Sequence, residues 1–226
     1  MAKNRFVLEE EKKKSGEEKL MDTISSFFEK NWKIVTIVIC ALLLIGLGIG
    51  IGISIAKNNN LKGQQEIYNL ELEFDSINSS EDPQWDAYIN KLSALVKDGS
   101  YKSVKASYLI GLAEYDRENY SNAYDAFMKA YELNKTIYLA PLALCNAAVC
   151  LEEMDNVSKA LELYNQVYTD YQDTESAVGA KALFNSARIY LQQNNVQVAK
   201  TTFEQCADYY PYSEYGKMAL SIAETL

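Results

Sequence analysis

The chain contains no histidine. That removes the commonest general base, the commonest zinc ligand and every catalytic triad built on an imidazole. Proline is nearly as scarce: Pro83, Pro141 and Pro211 are the only three in 226 residues. No stretch of useful length alternates apolar and polar residues as a strand would. A basic footprint is missing too. The net charge is −9, and from Lys57 onward 24 acids stand against 14 bases, a surface that repels nucleic acid. Cys145, Cys150 and Cys206 form an odd set in this part, so they cannot make a closed disulfide framework. They sit among apolar residues at helical spacing and read as small buried hydrophobes, although one oxidised pair stays compatible with the sequence. Cys145 and Cys150 lie five apart, which suits neither a redox nor a zinc pair. The acid runs Glu9-Glu10-Glu11 and Glu152-Glu153 read as solvated charges. No catalytic constellation, cofactor site or small-molecule substrate is expected.

What is present begins with Ile34–Ala56, IVTIVICALLLIGLGIGIGISIA, 23 residues without a charge. At ~1.5 Å per helical residue it reaches roughly 34 Å, enough to cross a hydrocarbon core of ~30 Å. Backbone groups in lipid must be satisfied internally, and one segment does so only as a helix. Thr36 and Ser54 can return their hydroxyls to that helix. The run exceeds the h-region of a cleaved signal, and its leader is too long for one, so the segment is expected to stay as an anchor. Eight Lys or Arg precede it (Lys3, Arg5, Lys12, Lys13, Lys14, Lys19, Lys30 and Lys33), whereas only Lys57 and Lys62 closely follow. This bias puts the N-terminus in the cytoplasm and residues 57–226 outside it. Gly46, Gly48, Gly50 and Gly52 give two small-xxx-small pairs through which another helix can approach closely. Residues 1–16 read as a solvated tail. In 17–32, Leu20, Ile24, Phe27 and Phe28 follow helical spacing, with Trp32 at interface height. Either this helix lies on the cytoplasmic leaflet, or its Phe pair docks a cytoplasmic partner.

Beyond a polar linker, KNNNLKGQQ, a pattern repeats. Gly111, Ala148 and Ala187 each stand twelve residues before Ala123, Ala160 and Ala199. The second helices read Ala123-Phe127-Ala130, Ala160-Tyr164-Val167 and Ala199-Phe203-Cys206. The turns between align at Glu118-Asn119-Tyr120, Asp155-Asn156-Val157 and Asn194-Asn195-Val196. A weaker copy has Ala87 and Ala94 flanking Lys91. Small residues let the two helices of a hairpin touch, and the aromatic one turn on fills the gap to the next hairpin. The pattern resembles the tetratricopeptide repeat over residues 64–226, with repeats starting near Val104, Pro141 and Ala180. The family's turn glycine is replaced by Glu118, Asp155 and Asn194, and its Trp is absent. Pro211 stops one helix and Ser213 caps the last, from about Glu214 to Thr225; Tyr171-Gln172-Asp173-Thr174 looks like a second such junction.

The resemblance implies an all-α fold, a single N-terminal transmembrane helix followed by an α-solenoid whose first helices line a concave groove. Matched position by position, the groove presents Lys105, Tyr108, Leu112 and Tyr115, then Cys145, Asn146, Val149 and Glu152, then Lys181, Phe184, Asn185, Arg188 and Leu191. This mix is too apolar to clamp a C-terminal carboxylate and suits extended apolar segments or a partner helix.

The whole arrangement is similar to the YfgM family, ancillary subunits of the bacterial SecYEG translocon: Phe27-Phe28 and Asn31 leading into one Gly-rich span, then an acidic repeat domain. The resemblance implies a single-pass protein of the bacterial inner membrane with cytoplasmic tail 1–33, span 34–56 and periplasmic repeat domain 57–226. Its expected partners are translocon subunits, a membrane-anchored periplasmic chaperone and emerging polypeptides. A scaffold for cell-envelope assembly or division is the alternative, and a peptidase or redox factor would require reactive thiols.

Overall fold

A computed structural model describes residues 16–80, 84–172 and 177–226, and among them every regular element is a helix. In order these are α1 (Gly16–Asn78), α2 (Trp85–Ser93), α3 (Tyr101–Asp116), α4 (Tyr120–Leu133), α5 (Leu139–Glu153), α6 (Val157–Tyr171), α7 (Ala177–Gln192), α8 (Val196–Tyr209) and α9 (Glu214–Ala223). The chain divides into two units, Met1–Asn60 and Leu61–Leu226. Residues 1–15, Pro83 and the Asp173-Thr174 half of the expected second junction lie outside the described residues. The expected linker KNNNLKGQQ is helical, as part of α1. Its three Asn and Gly63 are weak helix formers, but it contains no proline to break the ladder, and propagation from the helix on either side carries it through.

In the first unit α1 is two helices joined at Asn31, whose φ of −117° and ψ of 19° are not helical. The Asn31 Nδ2 donates to the Phe27 carbonyl at 2.9 Å, so a side chain satisfies a backbone acceptor at the break. Farther on, Thr36 Oγ1 donates to the Trp32 carbonyl at 2.8 Å, the return bond expected of it. Leu20–Ile55 is long and apolar enough to cross a membrane.

In the second unit the end of α1 and α2 form a first hairpin, with Ile67, Leu70, Trp85, Tyr88 and Leu92 buried together. The weaker repeat copy does not survive here: Ala87 and Ala94 are exposed. In so short a helix the large side chains at Trp85, Tyr88 and Leu92 take the inner face, and the two alanines fall on the outer one. Hairpins α3–α4, α5–α6 and α7–α8 follow, closed by α9.

The predicted register holds in all three. Ala123, Phe127 and Ala130, then Ala160, Tyr164 and Val167, then Ala199, Phe203 and Cys206 are at most 1% exposed. Opposite them Gly111, Ala148 and Ala187 are buried. At Gly111 the approach is closest: a Cβ there would sit 2.6 Å from Phe127 Cδ1. Ser213 caps α9, its Oγ accepting from the Gly216 N–H at 2.9 Å.

The three turns share one geometry. Glu118, Asp155 and Asn194 have φ of 61°, 56° and 60°. Each follows the last turn of a helix, and the next N–H reaches back five residues: Asn119 to Glu114, Asn156 to Leu151 and Asn195 to Tyr190. This is the Schellman closure, in which glycine is preferred because a Cβ is strained at positive φ. The positions where glycine was missing from the sequence pattern are therefore the left-handed ones. Glu118→Gly, Asp155→Gly and Asn194→Gly are each expected to raise stability, by about 0.5–1 kcal/mol for the two acids and less for Asn, which tolerates this region. Urea unfolding followed by circular dichroism checks this; a lower midpoint would contradict it.

Candidate functional site

The inner helices α3, α5 and α7 are small-residue-rich where they meet their own hairpin partners, which leaves their larger side chains for the opposite face. Between three successive hairpins that face encloses a concave pocket of about 220 Å³, lined by Leu112, Tyr115, Phe127, Asn146, Val149 and Lys181. Five of these were named from the repeat register; Phe127 was read only as a core plug. It does both, being 1% exposed while its ring meets Tyr108 edge-on at 5.4 Å.

Most polar groups around the pocket are committed to one another. Asn146 is the hub: its Nδ2 donates to Tyr108 Oη at 3.0 Å, and its Oδ1 accepts from Lys181 Nζ at 3.4 Å. The Tyr108 ring also faces Lys105 Nζ at 5.8 Å. Lys105 is buried at 8% exposure, with Nζ 2.6 Å from Glu71 Oε1. Tyr115 donates to Glu153 Oε1 at 3.2 Å; burial, then the Glu153 charge, pushes its phenol up to about 12. A buried lysine must be paired, and a phenol beside a carboxylate must stay protonated.

The remaining named residues lie farther along. Arg188 Nη2 pairs with Glu152 Oε2. The other Glu152 oxygen accepts from Tyr164 Oη at 2.6 Å, and Asn185 Nδ2 donates to the same Tyr164 oxygen at 3.1 Å. Burial, followed by that bond to Glu152, raises the Tyr164 phenol well above its ordinary value. Glu152 is thus no solvated charge, as its acidic neighbour had suggested, but the anion of a network between hairpins. Phe184 packs on Phe203 and Tyr215, each at 5.5 Å, and belongs to the core shared with α9. Leu191 and Cys145 join core clusters as well. The structure therefore brings Leu112, Tyr115, Asn146, Val149 and Lys181 together, with Tyr108 at their edge. Phe184, Asn185 and Arg188 do not line this pocket.

A common spacing runs through these contacts. Bonds between Glu71 and Lys105, Tyr108 and Asn146, Tyr115 and Glu153, Asn146 and Lys181, and Glu152 and Arg188 join residues 34 to 38 apart. On the outer helices Tyr131 with Gln166 and Tyr168 with Gln205 do the same at 35 and 37. Neighbouring positions in successive hairpins, offset by a few residues from the repeat register, are bonded to each other, each bond worth about 0.5–1.5 kcal/mol.

The three described cysteines are free and buried. Burial pushes the thiols of Cys145 and Cys206 up to about 11 and that of Cys150 to about 12, leaving negligible thiolate at neutral pH. In the first unit, Gly46, Gly48, Gly50 and Gly52 have open space where a Cβ would stand. Gly46, Gly50 and Ser54 floor a shallow groove edged by Leu47, Ile51 and Ile55.

No curated protein matches the chain significantly. The tetratricopeptide repeat family model matches residues 143–174 and 181–213, the segments that form hairpins α5–α6 and α7–α8. Over these residues family match and helix register agree: α5–α8 carry tetratricopeptide repeats, within an α-solenoid.

Proposed function

We propose that the protein is a membrane-anchored, non-catalytic binding subunit. Residues 34–56 span the bilayer, residues 1–33 stay cytoplasmic, and the repeat domain from residue 57 works outside the cytoplasm. The pocket shared by three hairpins carries this reading: Leu112, Phe127 and Val149 supply apolar contact, while Tyr115, Asn146 and Lys181 offer polar edges. Such a surface suits an apolar side chain carried on an extended segment or a helix. The anchor is supported by a helix whose apolar side chains are exposed all round, Ile37 at 68% and Leu44 at 69% among them; such a helix needs lipid or protein to cover it. Tethering raises the effective concentration of the pocket near the membrane for chains emerging there. The assignment to the bacterial Sec translocon, with handover of polypeptides to an anchored periplasmic chaperone, rests on the likeness to the YfgM family in Phe27-Phe28, Asn31, the Gly-rich span and the acidic repeat domain.

Photo-crosslinkers placed in cells at Tyr115 and Val149 test the pocket, and one at Gly48 tests the span. The expected result is nascent secreted chains or a chaperone from the pocket and translocon subunits from the span. Crosslinks confined to wall or division proteins would replace this role with an envelope scaffold.

A further inference from the structure

The apolar helix is too long for the membrane it would cross. Leu20–Ile55 contains 36 residues, which as one rod would measure ~54 Å against a hydrocarbon core of ~30 Å. A single tilt would have to pass ~50° to hide that length, beyond the range that spanning helices adopt. The structure divides the excess from the span at Asn31, the one residue of α1 with non-helical φ and ψ. Before this joint, Leu20, Met21, Ile24, Phe27 and Phe28 are all exposed. At 3.6 residues per turn they fall within an arc of about 120°. Asp22, Ser26 and Glu29 occupy the opposite face. Just past the joint Trp32 is 60% exposed, with Lys33 Nζ 5.9 Å from its ring centroid. An aromatic beside a lysine is the side-chain pair found at headgroup height.

We infer that residues 20–30 form a helix lying in the plane of the lipid headgroups, its Leu20–Ile24–Phe27–Phe28 face in the acyl boundary, with Asn31 as the joint to the spanning helix. The inference rests on the spanning assignment proposed above. The occupant of the face is lipid because the chain itself holds it there: Phe28 is six residues from Ile34, where the uncharged run begins, so the Phe pair cannot leave the bilayer surface by more than about two turns, and the joint at Asn31 lets Leu20 and Ile24 lie down beside it. Asn31 permits the bend at low cost. Its side-chain amide donates to the Phe27 carbonyl at 2.9 Å, so the break does not leave that acceptor bare at the interface. In-plane helices of this kind combine an apolar stripe, a charged face and basic residues near anionic headgroups, and Lys30 and Lys33 supply the last.

The test uses the full chain carrying Cys40→Ala in vesicles of phosphatidylethanolamine and phosphatidylglycerol. Cys145, Cys150 and Cys206 remain, since burial keeps them unreactive. A nitroxide is attached singly at positions 20, 24, 27, 22, 26, 29 and 48. Its collision rates with oxygen and with a water-soluble nickel chelate report depth. The inference predicts one shared shallow depth at 20, 24 and 27, with water exposure at 22, 26 and 29. Asn31→Leu, which restores an uninterrupted helix, is expected to move the labels at 20 and 24 toward water and abolish the shared depth. Equal water exposure on both faces overturns the inference and leaves the Phe pair free for a cytoplasmic protein. A depth that changes steadily from 27 to 20 overturns it in favour of an upright rod. Position 48 separates the two readings: if it too is open to the nickel chelate, the spanning assignment itself falls, whereas a lipid-buried 48 with exposed 20 and 24 removes only the in-plane helix.

Discussion

Phe127→Ala is expected to cost about 3–5 kcal/mol, the range for deleting a fully buried aromatic ring. The ring is 1% exposed, packs on Tyr108 and fills the space above Gly111. Because it also lines the pocket, crosslinking from Tyr115 should fall in parallel. Gly111→Ala attacks the same contact from the other side. The added methyl would lie 2.6 Å from the ring, an overlap expected to cost about 1–3 kcal/mol. The two sites are in contact, so their effects will not add. In a Phe127→Leu background, Gly111→Ala should cost clearly less than in the parent chain, as measured by urea midpoints. Equal costs in the two backgrounds would show that the glycine serves something other than the ring.

Glu152→Ala is the second large effect, at about 2 kcal/mol. It strips the partner from both Tyr164 Oη and Arg188. A fully buried pair broken from one side loses about 3–5 kcal/mol, but the Arg188 side chain keeps 38% exposure, and water repairs part of the damage. Glu152→Gln should lose less, because its carbonyl oxygen still accepts from the phenol. Adding Arg188→Ala to Glu152→Ala should recover some of the loss by removing the stranded cation. If Glu152→Ala, Arg188→Ala and the pair all unfold at the parent's urea midpoint, the network contributes nothing to the join between hairpins.

Much of this architecture could be read from residue order because it depends on small residues at fixed intervals. Gly111, Ala148 and Ala187 are where hairpins close, and twelve residues later an alanine faces them; sterics leave few alternatives. The turns were legible in the same way, once Glu118, Asp155 and Asn194 were seen to hold a glycine's place. Polar pairing was not legible. Nothing in Glu152-Glu153 says that one acid turns inward to Tyr164 while the other bonds Tyr115, because that choice depends on the offset between neighbouring hairpins, a tertiary quantity. Lys105 illustrates the same limit: its register places it on the groove side, but Glu71, 34 residues earlier, draws the charge into the interior. The first hairpin failed for a simpler reason. In a nine-residue helix three large side chains decide the buried face, and the alanine spacing carries no weight.

The reach of the hydrogen bonds, each linking one hairpin to the next, has a consequence for fluctuation. Among the described residues, each of α2 to α9 contacts helices no more than two places away. Such an array behaves as a row of nearest-neighbour couplings. Fraying that begins at either end must break one interface at a time, so its amplitude decays toward the centre. The α9 hairpin cap can open and close in amide exchange while α3, α4 and α5 remain protected. Change at the first hairpin or at α9, neither of which supplies a lining residue, is then uncoupled from the shape of the central pocket, and a recognition surface can persist while the chain around it changes length.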